Sequence, residues 1–159
     1  MLMWTSDEKI KLDDLYISVL KRKKIRRADG WERMEDVSKK IKPTPCIIVD
    51  TVVYLMAIDH IFDDILISSR LNLSVKELST VLRIFTGYCA VKFINLYRLK
   101  MAAEYLTCTD VPLETIMKRT GWASLPAFST AFHKRYGIPP RDYRIQNREY
   151  SYRLLYEWE

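Results

Sequence analysis

The chain has 159 residues, of which 48% are hydrophobic and 12% aromatic, with four glycines and six prolines. This composition excludes a disordered, collagen-like or repeat-array chain and is sufficient for one compact domain or two small ones. Its 26 basic and 20 acidic residues give a net charge of +6, which favours a polyanionic partner without proving one.

Residues 1–53 predict an extra helical segment at the start of the chain. Ser6 or Asp7 can cap a helix that runs to about residue 23, and apolar residues at helical spacing indicate a second short helix over 31–41. No pair of strands is predicted in the chain. An alternative interpretation makes residues 15–53 a helix-turn-helix-like unit whose first helix spans 34–41.

A run of six cations in seven residues, KRKKIRR, occupies positions 21–27. Such a run can contact nucleic acid, but solvated helix ends and loops also carry runs of this kind. The sequence does not decide between the two interpretations.

The next stretch, residues 46–69, predicts one long helix, because its apolar residues keep helical spacing for longer than an average strand. On such a helix His60 and Asp63 or Asp64 lie one turn apart and could share a cation, although an acidic surface helix explains them equally well. The most apolar residues, 45–58, are fewer than the ~20 that a membrane span requires. We therefore expect no membrane partner.

Three cysteines, Cys46, Cys89 and Cys108, stand far apart in mostly apolar surroundings. An odd number at wide spacing fits buried thiols in a reducing compartment better than a disulfide framework. The opening residues lack the apolar stretch of a signal peptide. We therefore predict a cytoplasmic protein.

Residues 111–144 predict two helices joined by a tight turn at Gly121. Apolar residues at helical spacing mark the inner faces of the two helices: Leu113, Ile116 and Met117 in the first, Phe128, Ala131 and Phe132 in the second. A short helix, a glycine-containing turn and a second amphipathic helix make up the helix-turn-helix plan, in which the first helix braces the second in a major groove.

At these residues the chain resembles the DNA-binding domain of the AraC/XylS transcriptional regulators. The family's second unit reads I-A-x-x-x-G-F, then a Ser/Asx-rich helix start, Y-F-S-R-x-F-K-K-x-F-G and x-x-P-x-x-Y-R. The matching residues are Ile116, Gly121 and Trp122, then 127–137, then Pro140, Tyr143 and Arg144. Upstream, Arg98, Leu99 and Ala102 match the R-L-x-x-A pattern of the family's linker helix.

The resemblance implies an all-α fold of homeodomain-like, three-helical units joined by a linker helix. It divides the chain into the segment 1–53, which does not resemble the family's β-rich sensing domain, a DNA-binding domain over 54–144 and an aromatic tail over 145–159. Within the domain we predict a first unit at 54–87, the linker helix at 90–106 and the second helix-turn-helix at 111–144.

The first unit looks truncated on this alignment. Residues 73–78, LSVKEL, resemble the start of the family's first unit, but only residues 79–85 separate them from Thr86-Gly87, which resembles the turn. About three helical turns, roughly 11 residues, are then missing. We therefore expect a regulator that reads one major groove through the helix 124–135.

The outward positions of helix 124–135 are the candidate base-contacting residues: Ser124, Leu125, Pro126, Ser129, Thr130 and His133. The family tends to place Gln, Asn, Asp or Arg at such positions, and shorter hydroxyl side chains predict modest specificity. The candidate phosphate-contacting residues are Lys118, Arg119, Lys134 and Arg135.

The sequence thus predicts a bacterial, sequence-specific DNA-binding transcriptional regulator with double-stranded DNA as its partner. A homodimer and the transcription machinery are further candidate partners. The alternative is a protein-interaction or dimerisation module on the same scaffold, suggested by the aromatic residues of 150–159. With only two histidines, no cysteine pair at ligand spacing and no nucleophile–base signature, we predict no enzyme, no cofactor and no metal site.

Overall fold

The computed structural model describes residues 8–158, so the predicted cap at Ser6 or Asp7 lies outside the described residues. In chain order the elements are α1 (Leu12–Leu15), β1 (Leu20–Arg26), β2 (Glu32–Asp36), α2 (Ile47–Ala57), α3 (Asp64–Arg70), α4 (Val75–Thr86), α5 (Ala90–Cys108), α6 (Leu113–Arg119), α7 (Leu125–Tyr136), α8 (Pro140–Asn147), α9 (Tyr152–Leu155) and β3 (Tyr156–Trp158). The fold is mostly helical, as predicted.

The described chain forms two compact units, each assembled from separate stretches. The first unit comprises residues 8–17 and 40–98, and the second comprises residues 18–39 and 99–158. Helix α5 begins in the first unit and continues without a break into the second. The units do not follow the predicted boundaries at residues 53 and 144.

A three-stranded antiparallel sheet, in the order β2-β1-β3, belongs to the second unit. Strands β1 and β2 form a hairpin whose loop is closed by the Arg27 N–H donating to the Trp31 carbonyl at 2.8 Å. Gly30 in this loop has a φ of +86°, a left-handed conformation that glycine adopts without strain. The helices predicted up to residue 23 and over 31–41 are therefore wrong, and the strictly all-α expectation fails here.

The same hairpin overturns the alternative helix-turn-helix unit over residues 15–53, because residues 32–36 of its supposed first helix form β2. The basic run at 21–27 is accordingly a strand and not a helix end. Its burial alternates over residues 20–24, from buried Leu20 through exposed Lys21 to half-buried Arg22, as expected for a sheet with one covered face.

The single helix predicted over residues 46–69 is two helices, α2 and α3, separated at 58–63. His60 lies in this break with a left-handed φ of 55°, and the Asp63 carboxylate caps α3 by accepting from the Leu66 N–H at 2.8 Å. His60, Asp63 and Asp64 therefore do not lie one turn apart on a single helix, as the hypothesis of a shared cation required. Helix α2 itself is well anchored, since its apolar face is fully buried at Val49, Val52, Val53 and Met56.

The residues of the predicted linker helix, 90–106, lie in one continuous helix, α5. The C-terminal tail packs within the second unit, since Tyr152 is 8% exposed and β3 pairs with β1. Asp110 holds this tail, because its carboxylate accepts hydrogen bonds from the Tyr152 hydroxyl and from Arg153. Of the aromatic residues that suggested an interaction module, Tyr152 is thus buried, Tyr156 and Trp158 are half-buried, and Tyr150 is fully exposed. Among residues 8–158 no helix combines the length and apolar character needed to cross a membrane.

Candidate nucleic-acid interface

Helices α6 and α7 form the helix-turn-helix predicted near the C-terminus. Helix α6 closes at Gly121, whose φ is +76°, and the Trp122 N–H donates to the Met117 carbonyl at 3.0 Å. The Ser124 hydroxyl then caps α7 by accepting from the Ala127 N–H at 3.2 Å. These contacts satisfy backbone groups that the helix ends would otherwise leave unpaired.

An aromatic cluster holds α7 in place. Phe128 and Phe132 are fully buried, and their ring centroids lie 5.8 Å apart. Phe132 also contacts Tyr136 and Tyr143, at 4.5 and 5.1 Å between centroids. These aromatic residues therefore build the site rather than contact a ligand, as their spacing predicted.

The outer surface of α7 is polar and open. Thr130, His133, Lys134 and Arg135 are exposed, as is Pro126, whereas Leu125 and Ser129 are half-buried. No acidic residue occurs within α7. The surface combines hydroxyl and imidazole groups, which can contact base edges, with cations in the last helical turn, which can contact phosphates.

The other predicted phosphate contacts, Lys118 and Arg119, are exposed in the last turn of α6. The Arg119 guanidinium lies 5.6 Å from the centroid of the Tyr105 ring of α5. Arg144, which the family pattern also contains, has a different role. Its guanidinium donates to the carbonyls of Leu106 and Val111, and burial lowers its pKa, so it is a structural residue.

The first unit contains a complete helix-turn-helix, and the predicted truncation is wrong. Helices α3 and α4 have 7 and 12 residues, the same lengths as α6 and α7. Ser74 caps α4 by accepting from the Glu77 N–H, as Ser124 caps α7, and the two helices end at Gly87 and Gly137, with φ of +85° and +81°. The segment LSVKEL therefore begins the recognition helix and not the bracing helix.

Helices α4 and α7 also agree residue by residue when 50 is added to each number in α4. Buried Leu78 and Leu82 correspond to buried Phe128 and Phe132. Residues 74–84 and 124–134 follow the same order of buried, half-buried and exposed side chains. Sequence reasoning consequently missed four exposed candidates on α4: Lys76, Thr80, Arg83 and Ile84. The recurrence of Ser, paired apolar residues and Gly at this offset is the signal that could have revealed them.

The two units differ in charge. Where the second unit has Lys134, Arg135 and Arg141, the corresponding positions of the first unit hold Ile84, Phe85 and Val91. In sequence, residues 1–17 and 40–98 carry nine basic and nine acidic residues, whereas 18–39 and 99–159 carry 17 and 11. The whole net charge of +6 therefore belongs to the second unit.

Comparison with known proteins agrees with this architecture. A family model described as "Helix-turn-helix domain" matches residues 67–146, which is half of the chain. The transcriptional activator RhaS of Shigella boydii is 29% identical over 89 residues, covering 54% of this chain and 32% of that protein. The regulator YtdP of Bacillus subtilis is 29% identical over 105 residues, covering 64% of this chain and 13% of its own length. The chain thus spans a third or less of these relatives.

Solved structures give the same result. The C-terminal domain of the response regulator AraT from Geobacillus stearothermophilus is 28% identical, with a TM-score of 0.60, and the match covers 69% of this chain and 91% of that domain. The DNA-binding domain of AdpA, solved with a target DNA, has a TM-score of 0.56 at 20% identity, covering 62% and 90% of the two chains. At 20% identity, the similarity to the AdpA domain concerns the fold alone.

Proposed function

Because the chain belongs to the AraC/XylS family of helix-turn-helix proteins, we propose that it is a DNA-binding transcriptional regulator. The observation that carries the proposal is the open outer surface of α7, where Thr130, His133 and Lys134 are exposed on a helix that buried aromatic rings hold in place. An α-helix of this kind fits a B-DNA major groove.

We propose that both helix-turn-helix units contact the duplex, and that the chain reads two short blocks of sequence through α4 and α7. This replaces the expectation of a single groove. On α4, Thr80 and Arg83 are the counterparts of Thr130 and His133, and an Arg can bind guanine through two hydrogen bonds. Discrimination is therefore stronger at the block read by α4 than at the block read by α7.

Phosphate binding has the opposite distribution in this proposal. The second unit offers Lys118, Arg119, Lys134 and Arg135, whereas Ile84 and Phe85 replace the last two in the first unit. Phosphate contacts position a protein on DNA and make its affinity salt-dependent. The second unit accordingly supplies most of the affinity for DNA, and the first unit supplies a larger share of the sequence preference.

Selection from a pool of random duplexes tests this proposal, with the unaltered chain beside Arg83→Ala and His133→Ala. We expect two enriched blocks for the unaltered chain, a strong reduction of the enrichment at one block for Arg83→Ala and a smaller reduction at the other block for His133→Ala. Lys42→Ala, which removes an exposed cation outside both helix-turn-helix units, is the matched control and should retain both blocks. Recovery of no enriched sequence at low salt, from a chain whose circular dichroism shows it to be folded, would reject the proposal.

The remaining assignments accompany this function as proposals. A regulator of this family acts in the bacterial cytoplasm, uses double-stranded DNA as its partner and has no catalytic site or cofactor. Its contacts with a second copy or with the transcription machinery would come from surfaces outside α4 and α7.

A further inference from the structure

We propose that the β1–β2 hairpin is a further DNA-contacting element, beside α4 and α7, which binds phosphates of the same duplex as α7 through one basic face. This inference rests on the proposed function, since it assigns further contacts to the same complex. It is based on how charge is divided between the two faces of the hairpin.

The pairing register defines those faces. Arg22 opposes Asp36, Lys24 opposes Met34 and Arg26 opposes Glu32, and these residues alternate with those of the other face. We call the first set, with Glu157 of β3 opposite Arg22, the ion-paired face. The basic face consists of the remaining residues of the hairpin: Lys21, Lys23, Ile25, Arg27, Trp31, Arg33, Glu35 and Val37.

On the ion-paired face each cation has an acidic partner. Arg22 contacts Asp36 at 3.2 Å and Glu157 at 3.6 Å. Lys24 and Arg26 share Glu32, the latter at 3.3 Å. Three cations meet three carboxylates, so this face is electrically neutral and its charges serve to hold the three strands together.

The basic face has an excess of three positive charges. Its one acidic residue, Glu35, accepts a hydrogen bond from Arg33 at 2.6 Å. The side chains of Lys21, Lys23 and Arg27 are exposed and form no ion pair with any residue from 8 to 158, although Glu35 lies opposite Lys23 in the hairpin. Trp31, at the end of the hairpin beside Arg27, is 75% exposed. A row of exposed cations that form no ion pair within residues 8–158, with an exposed aromatic ring at its end beside Arg27, is suited to a polyanion.

The hairpin is fixed to the same helix that supports α7. The Glu104 carboxylate of α5 accepts from the Val19 N–H at 2.6 Å and from the Ser18 hydroxyl at 2.9 Å, immediately before β1. Within the same unit, the Tyr136 hydroxyl at the end of α7 donates to the Leu99 carbonyl of α5 at 3.4 Å. A basic face held on this common support can contact DNA without first becoming ordered, so its lysines add phosphate contacts at a low entropic cost.

The test uses the full chain and compares two double variants that remove the same charge. Lys21→Gln/Lys23→Gln alters the basic face, and Lys11→Gln/Lys42→Gln removes two exposed cations of the first unit. Affinities for a selected duplex and a scrambled one are measured across a salt series. Each phosphate contact contributes about 0.9 to the slope of log affinity against log salt, so the hairpin variant should lower that slope by ~1.8.

We further expect the hairpin variant to lose affinity for both duplexes by the same factor, the control variant to match the unaltered chain, and Lys21→Arg/Lys23→Arg to restore the slope. Circular dichroism of each variant establishes that the sheet is intact. Slopes that are equal in the two Gln variants would overturn the inference alone, as would a loss confined to the selected duplex. Failure of the unaltered chain to bind any duplex would overturn the proposed function as well.

Discussion

Asn72 and Gly121 occupy the same position in two successive helix-turn-helix units. Each holds a left-handed backbone conformation after a seven-residue helix, with φ of 55° and 76°. The residue that follows donates its N–H back into the helix in both cases, from Leu73 to Ser68 and from Trp122 to Met117. The turn geometry is thus conserved within the chain although the residue types differ.

Asn72 should accordingly tolerate glycine but not alanine. Left-handed backbone costs a residue with a Cβ atom about 1–2 kcal/mol, and asparagine tolerates it better than most. We expect Asn72→Ala to lower the free energy of unfolding by about 1 kcal/mol, while Asn72→Gly leaves it unchanged or raises it. Urea unfolding followed by circular dichroism measures both. Equal stabilities for the two variants would show that the turn places no demand on this residue.

Asn72 also explains why the sequence predicted a truncated first unit. The second unit was correctly predicted because a glycine, Gly121, stands at its turn. In the first unit the turn was expected at Gly87, but this glycine ends the recognition helix α4. Both positions require the same left-handed backbone, so glycine alone cannot distinguish a turn between helices from a helix terminus. The 50-residue offset pairs Gly87 with Gly137, which ends α7, and so identifies Gly87 as a helix terminus.

Lys134 and His133 should affect DNA binding in different ways. Lys134→Ala removes a point charge at the end of α7, so it should weaken binding to selected and scrambled duplexes by one common factor. His133→Ala or Thr130→Ala should instead reduce the preference for the selected duplex, by about 1 kcal/mol or less, because an imidazole or a hydroxyl group makes a weaker base contact than a bidentate pair. Fluorescence anisotropy titrations separate the effects. Identical losses on both duplexes for all three variants would remove His133 and Thr130 from the set of reading residues.

Ile84 offers a gain-of-binding prediction. It is 58% exposed at the position that corresponds to Lys134, so Ile84→Lys would give α4 the cation that α7 already has. We expect this variant to bind every duplex more tightly at low salt, with a slope of log affinity against log salt that is steeper by about 0.9.

Ile47→Lys is the control for that change, because Ile47 is 79% exposed on α2, outside both helix-turn-helix units. It adds the same charge and should alter affinity less. If Ile84→Lys abolished self-association of the chain and left DNA affinity unchanged, Ile84 would belong to a protein interface instead.

The sheet was missed for a reason that lies outside local sequence. Lys and Arg dominate β1, and these residues favour helices at least as much as strands, so neither propensity nor apolar periodicity marks residues 20–26 as a strand. The pairing depends on acidic side chains across the hairpin and on β3, which follows more than a hundred residues later. Interactions between such distant segments are not encoded in a local window. The helix predicted up to residue 23 rested only on the local spacing of apolar residues.

Asp110 gives the attachment of the C-terminal tail a dependence on pH. The Tyr152 hydroxyl and the Arg153 guanidinium donate to its carboxylate and hold the pKa of Asp110 below its ordinary range. A carboxyl group of this kind stabilises the fold above its unfolded pKa of about 3.9, and this contribution is lost as the pH falls through the lower folded pKa. Because the Asp110 side chain is 43% exposed, we expect the contribution to be about 1 kcal/mol or less.

Hydrogen exchange of the amides in residues 156–158 therefore should accelerate below about pH 4, relative to the intrinsic rate, as β3 separates more often from β1. Asp110→Asn removes the charge at every pH, so the variant should exchange faster near neutrality and lose the acid-dependent increase. The amides of α2, whose apolar face is fully buried in the other unit, provide the internal reference. An acid-dependent increase that persists in Asp110→Asn would assign the effect to a different carboxyl group, such as that of Glu157, which joins β3 to β1 through its ion pair with Arg22.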